Sequence, residues 1–429
     1  MKFLLYSINH APELTGIGKY NGELAPALAA RAIEAHVVTA TPYYPEWQVH
    51  DGFKSRYNRS QLGGASIYRC PLYVPKKVST FKRLIHLSSF ALSSALRLIT
   101  LLRLKPNVVF LVQPTLFCAP ATLLYCKLTG AKSVMHIQDF EIDAMFGLGL
   151  AGSPTNKSTT TEAPSKAGGK SKAPLIKRVI CAAETWLLRR FDVVSSISYS
   201  MLENAKSKGV DESKLLFFPN WADTNFVTPQ VSGDALRKQW GFTSADKIVL
   251  YSGNIGQKQG LEIVLDAAQA LKNRPEVKFV IVGSGAYSET LQKMAVDNGL
   301  TNIQFKPLQA WELVPQILSM ADVHLVVQKR GAADAVLPSK LTNILSAGGH
   351  ALITADINTE LGKIALKYQG IYQCVEPENS AAFIAGLIEC LAKDTRQVNT
   401  VARDYAVANI NVDTVIDRFV GDMRTLLKR

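Results

Sequence analysis

HAPELTGIGKYNGELAPALAARA, residues 10–32, follows the apolar run of residues 2–9 and leads into a helical pattern. Gly16 and Gly18 thus fall in a strand-to-helix loop. Counting excludes two familiar glycine motifs. A P-loop needs a glycine where Glu13 stands and a Ser or Thr where Tyr20 stands. A dinucleotide fingerprint needs its third glycine at Asn21, and that glycine arrives one residue late, at Gly22. What remains is a strand, a glycine loop and a helix beginning near Tyr20. Such a helix start offers free N–H groups and a positive dipole end to an anion or polar substrate. A tight turn with no ligand fits this stretch equally well.

The same alternation continues outward. To about residue 220, apolar runs such as HVVTA, SIYRC, NVVFLVQP, SVMHIQD, VVSSIS and LLFFPN alternate with helical stretches such as PATLLYCKLTG and ETWLLRRF. Near residue 246 it begins afresh with KIVLYSG, VKFVIVGSG, IQFKPL, VHLVVQ and ALITA. Continuous apolar strands joined through helices mark parallel sheets covered on both faces. The expected fold is α/β: two tandem Rossmann-like, doubly wound domains, residues 1–220 and 221–400. The hinge falls near PNWADTNF, and a last helical stretch, residues 401–429, is expected to pack back on the first domain.

Charge is unevenly placed. Residues 1–220 hold 27 Lys and Arg against 14 Asp and Glu, whereas residues 221–429 hold 21 of each. The whole excess of +13 therefore sits in the first half, which suggests that this domain faces an anionic surface. Residues 81–105 combine five Lys/Arg, no acid and many leucines, and are too polar to span a bilayer. They fit a helix lying in a membrane interface, or one whose apolar side is core; the charge asymmetry favours the interface. Residues 151–175 are rich in Ser, Thr, Gly, Pro and Lys and read as a mobile basic loop. The six cysteines form no Cys-x-x-Cys pair, which argues for a reducing cytoplasm and against zinc or a disulfide framework. The opening MKFLLYSINHAPE lacks a cleavage site and reads as a strand.

Chemistry gathers in the second half. YSGNIGQKQGLE places Gly253, Asn254, Gly256, Lys258 and Gly260 at a strand-to-helix turn, and VGSGAYSETL repeats the arrangement with Gly283 and Gly285. QKRGAADAVLPSKLTNIL then sets Lys329, Arg330 and Lys340 around a loop entering a helix near Ser339. Ligands of open α/β sheets bind beyond the carboxyl ends of the strands, so these groups suit a nucleoside diphosphate.

The stretches PELTGIGKY, TPYYPEWQV, YRCPLYVPK, PTLFCAP, HIQDFEIDAM, GLGLAG, FFPNW, YSGNIGQKQGLE and VVQKRGAADAVLPSKLTNIL carry a resemblance. Over nearly its whole length the chain resembles the family 4 retaining glycosyltransferases of the GT-B type, two domains flanking a cleft. The resemblance implies transfer of a sugar, L-fucose from GDP-fucose, to a polyprenyl-diphosphate-linked saccharide in exopolysaccharide assembly of the colanic acid kind. It further implies peripheral attachment to the inner face of the cytoplasmic membrane and places His136, with Asp139 one turn on, beside the reacting sugar. Family members commonly carry two glutamates ahead of the turn that here is SAGG; their positions hold Ala335, beside Asp334, and Asn343. A common arginine is replaced by Asn254, and a common lysine by Gln259. Lys258, Arg330 and Lys340 are therefore the expected phosphate ligands, with Asp334 for a sugar hydroxyl. Gly16 and Gly18 are expected to let the first-domain backbone approach the ligand.

No cofactor is expected beyond the nucleotide-sugar donor, and no metal, because no carboxylate or His/Cys cluster has ligand spacing. Nucleic acid is not an expected partner, since stacking aromatics do not interleave with the basic residues. A sugar-nucleotide dehydrogenase lacks its fingerprint. The competing reading is a membrane-associated GT-B scaffold without activity.

Overall fold

The structure, a computed structural model, describes residues 1–13, 16–76, 79–113, 116–140, 175–330 and 338–428. Asp334, Glu141, Asp143 and all but the last residue of the 151–175 loop lie outside these. The chain divides into two compact units: Met1–Ser196 with Met201–Phe217 and Val420–Arg429, and Ile197–Ser200 with Phe218–Phe419.

The first unit is built on an eight-stranded sheet. Its strands are β1 (Lys2–Tyr6), β2 (Glu34–Ala40), β3 (Asn58–Leu62), β4 (Ala65–Cys70), β5 (Val108–Val112), β6 (Lys132–Ile137), β7 (Val193–Ser196) and β8 (Leu215–Phe217). Their order is β3-β4-β2-β1-β5-β6-β7-β8, and every pairing is parallel except β3 with β4. The winding reverses between β1 and β5. Both strands are buried almost throughout, as unbroken runs such as FLLY and VVFLV require when helices cover both faces.

Helix Thr80–Thr100 covers most of residues 81–105 and has one buried and one exposed side. It buries His86, Leu87, Phe90, Ser94 and Leu98 against the sheet, where the Tyr6 hydroxyl hydrogen-bonds Ser94 at 2.5 Å. Its opposite side leaves Phe81, Leu92, Leu96 and Ile99 exposed. Arg97 is turned inward: its guanidinium lies 4.9 Å from the Tyr57 ring centre and its Nε is buried. No helix among the described residues is long and apolar enough to cross a membrane.

The second unit carries β9 (Lys247–Ser252), β10 (Val277–Val282), β11 (Ile303–Lys306), β12 (Val323–Val326), β13 (Ala351–Thr354) and β14 (Gln373–Val375). The order is β11-β10-β9-β12-β13-β14, all parallel, with reversal between β9 and β12. Both halves of the chain thus fold as doubly wound parallel sheets, the architecture expected from their alternating runs. Reversal points are where such sheets leave a crevice beyond the strand ends.

Candidate active site

In the second unit the crevice is floored by two interlocked glycine loops. Gly253 follows β9 and Gly283 follows β10, with φ of 147° and 151°, a region that favours glycine. The Gly253 N–H donates to the Val282 carbonyl at 2.9 Å, and the Ile255 N–H to the Ser284 carbonyl at 2.9 Å. A Cβ on Gly283 would overlap the Gly253 carbonyl, and one on Gly285 the Ile255 carbonyl. These two glycines let the two loops pack on one another. Gly253 differs: a Cβ there would stand 3.3 Å from Lys340 Nζ. Its bare backbone makes room for an ammonium.

That ammonium belongs to the first turn of helix Ser339–Ser346. Ser339 opens the helix beside it and is exposed. Lys340 Nζ lies 4.0 Å from the Tyr251 ring centre, on the strand that leads to Gly253. The Tyr251 hydroxyl donates to the Asn254 carbonyl at 2.7 Å, so one side chain braces both the glycine loop and the lysine. Crowding by protein lowers the Lys340 pKa to about 7, although part of the side chain still meets solvent. An ammonium in such a place, beside a helix start, suits an anionic ligand.

The other expected phosphate ligands are placed differently. Arg330 donates to Glu376 at 2.7 Å and lies 4.0 Å from Asp356, and these carboxylates raise its pKa further. Its charge is already answered within the fold. Lys258 falls in the short turn Gln257–Gln259, its side chain outside what the structure describes. Lys329 packs its stem over Gly260, 3.0 Å from where a Cβ would stand. Beyond the interlocked loops lies a cavity of about 590 Å³, lined by Ser284, Ser288, Glu289, Phe305 and Lys306 among others.

In the first unit, the loop after β1 closes on Glu13. Glu13 is buried, its Oε1 accepting the Tyr43 and Tyr44 N–H groups at 2.9 and 3.0 Å, and its Oε2 the Asn9 amide at 2.8 Å. Burial raises its pKa against these bonds. A Cβ on Gly18 would lie 2.6 Å from Glu13 Cβ, so Gly18 makes room for this carboxylate. Gly16 opens helix Gly16–Ala30 with φ 55° and nothing within 4 Å of a Cβ, leaving open backbone.

His136 is the penultimate residue of β6. It is buried inside β6, stacked on Phe110 at 5.1 Å and hydrogen-bonded to Ser195 at 2.9 Å. Burial drives its pKa to about 3, which keeps it neutral at physiological pH. Asp139, three residues on, is exposed beyond the strand end. Among the described residues no three His, Cys, Asp or Glu are grouped to hold a metal.

Sequence reasoning missed Tyr251, Glu289 and Lys306. Tyr251 was signalled only as the aromatic two places before the loop glycine, and Glu289 as an acid in the first turn of the helix after the second loop.

Residues 15–221 match the family model described as glycosyl transferase 4-like domain, and residues 233–406 match glycosyl transferases group 1. WcaI of Escherichia coli (strain K12), described as a colanic acid biosynthesis glycosyl transferase, is 49% identical over 99% of this chain and 100% of its own. The chain is a family 4 glycosyltransferase of the GT-B type. Another family relative, the GDP-mannose-dependent monoacylated alpha-(1-6)-phosphatidylinositol monomannoside mannosyltransferase of Corynebacterium glutamicum, is 28% identical over 31% of this chain and 35% of its own. Among solved structures, sucrose-phosphate synthase from Thermosynechococcus elongatus superposes with a TM-score of 0.74 at 14% identity, covering 100% of this chain and 99% of that one.

Proposed function

We propose that this glycosyltransferase moves L-fucose from GDP-fucose onto a polyprenyl-diphosphate-linked saccharide in the assembly of a colanic-acid-like exopolysaccharide. Full-length relation to WcaI supports the pathway, and the observation that carries the donor site is Lys340 poised over Gly253 at the sheet reversal. In the reaction the bond between the sugar C1 and the diphosphate oxygen breaks, and the acceptor hydroxyl oxygen bonds to C1 and passes its proton to the departing diphosphate. Negative charge grows on the departing diphosphate. The Lys340 ammonium and the N–H groups opening helix Ser339–Ser346 are fixed donors for that charge, so no resident metal or cofactor is needed in this reading. The neighbouring 590 Å³ cavity takes the nucleobase.

A lipid-linked acceptor calls for contact with a membrane, and the exposed side of helix Thr80–Thr100 supports that part of the reading. Phe81, Leu92, Leu96 and Ile99 expose an apolar side flanked by the exposed cations Lys82, Arg83, Arg103 and Lys105. We read this as peripheral attachment to the anionic inner face of the cytoplasmic membrane. Incubating the purified chain with radiolabelled GDP-fucose and a polyprenyl-diphosphate saccharide tests the activity. Label extracted into the lipid phase is the expected result; GDP-fucose that binds but yields no lipid-linked product would favour the scaffold reading.

A further inference from the structure

Two residues of opposite charge line the 590 Å³ cavity and, among the described residues, do not pair with each other. Glu289 sits in the first turn of helix Ser288–Asp297, and Lys306 ends β11 across the cavity. Among the described residues neither forms an ion pair; the Lys306 ammonium lies 5.4 Å from the Trp240 ring centre, a cation–π contact that leaves its N–H donors for a ligand oxygen. The carboxylate offers only acceptors and the ammonium only donors. A ligand that answers both must present adjacent donors beside an acceptor.

We propose that Glu289 and Lys306 together select guanine as the donor base, the Glu289 carboxylate accepting from N1–H and the 2-amino group while the Lys306 ammonium donates to O6. This rests on the reading that the cavity holds the nucleobase. Guanine carries two donors side by side next to O6 and N7 acceptors. Uracil offers a single N3–H between two carbonyl oxygens, which would set an acceptor against the carboxylate. Adenine presents a ring acceptor where guanine has N1–H. Only guanine fills both roles with charge-assisted bonds.

The test is calorimetric titration of the full-length chain and its variants with GDP, IDP, UDP and ADP; IDP is guanine's analogue without the 2-amino group. The wild type should bind GDP about tenfold or more tightly than IDP, and more tightly still than UDP or ADP, as a charge-assisted hydrogen bond implies. Glu289→Ala should bring GDP and IDP to equal affinity while leaving UDP within about twofold. Glu289→Gln should fall between, and Lys306→Met should weaken GDP and IDP alike. Glu289 is exposed and Lys306 half-buried, so the Glu289 variants keep their fold and a thermal melt checks that Lys306→Met does. Equal binding of GDP and IDP by the wild type, or an unchanged ratio in Glu289→Ala, overturns the proposal. Preferential binding of UDP overturns it while leaving the donor-site reading intact. Failure to bind any of the four nucleotides overturns both.

Discussion

Lys340 holds its ammonium 4.0 Å from the centre of the Tyr251 ring, and the same tyrosine's hydroxyl fixes the Asn254 carbonyl at 2.7 Å. The cation and the glycine loop beside it are therefore set by one side chain. Lys340→Met should weaken GDP binding by about 1.5–3 kcal/mol, roughly 10- to 100-fold, the worth of a charged hydrogen bond. Thermal unfolding of the empty protein should change little or improve, because a crowded charge is removed. A variant that binds GDP like the parent would take Lys340 out of the site.

The lowered pKa of Lys340 gives a sign that can be checked. The free site titrates near pH 7, and a bound diphosphate raises the value toward the ordinary one of a lysine. At about pH 8 the empty site is mostly neutral and the filled site charged, so binding takes up about one proton. GDP affinity should fall as pH rises above 7. In the absence of ligand, the unfolded chain holds this proton up to a higher pH than the folded one, so folding stability gains from the same rise. Titrations in buffers of different ionisation enthalpy measure the uptake, and Lys340→Met should abolish it.

Tyr251→Phe keeps the ring but strands the Asn254 carbonyl. A loss of about 1 kcal/mol in both stability and GDP binding is expected. Tyr251→Leu also removes the ring beneath the ammonium and should lose about 0.5–2 kcal/mol more of GDP binding. Equal GDP affinity in the two variants would deny the ring any part in holding Lys340.

Gly18 and Gly16 should part company on substitution. Gly18→Ala drives a methyl into Glu13 and should destabilise the chain by about 1–3 kcal/mol, the range for overpacking. Gly16→Ala meets no atom and incurs only the strain of a positive φ, about 1 kcal/mol. Thermal melts rank the two. If both melt alike, Glu13 does not need the space.

That pair also shows what could be read in the sequence. The strands were legible because buried parallel strands are written as unbroken apolar runs. NRSQL was missed because β3 is exposed along its whole length, although Gly63 and Gly64 between it and β4 were a readable hairpin turn. QCV was missed because β14 is only three residues long. The glycines marked the right sheet edges, but their reasons are tertiary. Gly18 answers Glu13, and Gly283 answers the Gly253 carbonyl, contacts that spacing along the chain does not encode. His136, expected beside the reacting sugar, is buried one residue before the end of β6, and how far a strand's last polar residue lies from the sheet edge depends on register. Arg330 was expected to be free because its partners Glu376 and Asp356 arrive from distant strand ends.

Transfer should persist in excess chelator. The proposed charge stabilisers are Lys340 and helix N–H groups, neither of which requires a cation to act. The measurement is initial rate with and without EDTA after exhaustive dialysis. Complete loss restored by magnesium or manganese would sink the metal-free reading.

The last prediction concerns the membrane. Each cation near an anionic leaflet contributes about 1 kcal/mol, an attraction that fades with salt, while exposed apolar residues add burial that does not. The parent should therefore pellet with phosphatidylglycerol vesicles at low salt and partly release at high salt. Changing Lys82, Arg83, Arg103 and Lys105 to Gln should abolish the salt-sensitive part. Changing Leu92, Leu96 and Ile99 to Ser should remove what survives high salt, and their exposure means that the fold should tolerate it. Arg97→Gln is the internal control: its guanidinium is spent on Tyr57, so the variant should pellet like the parent while melting lower. Release by Arg97→Gln, with full retention by the fourfold variant, would place the contact elsewhere on the first unit.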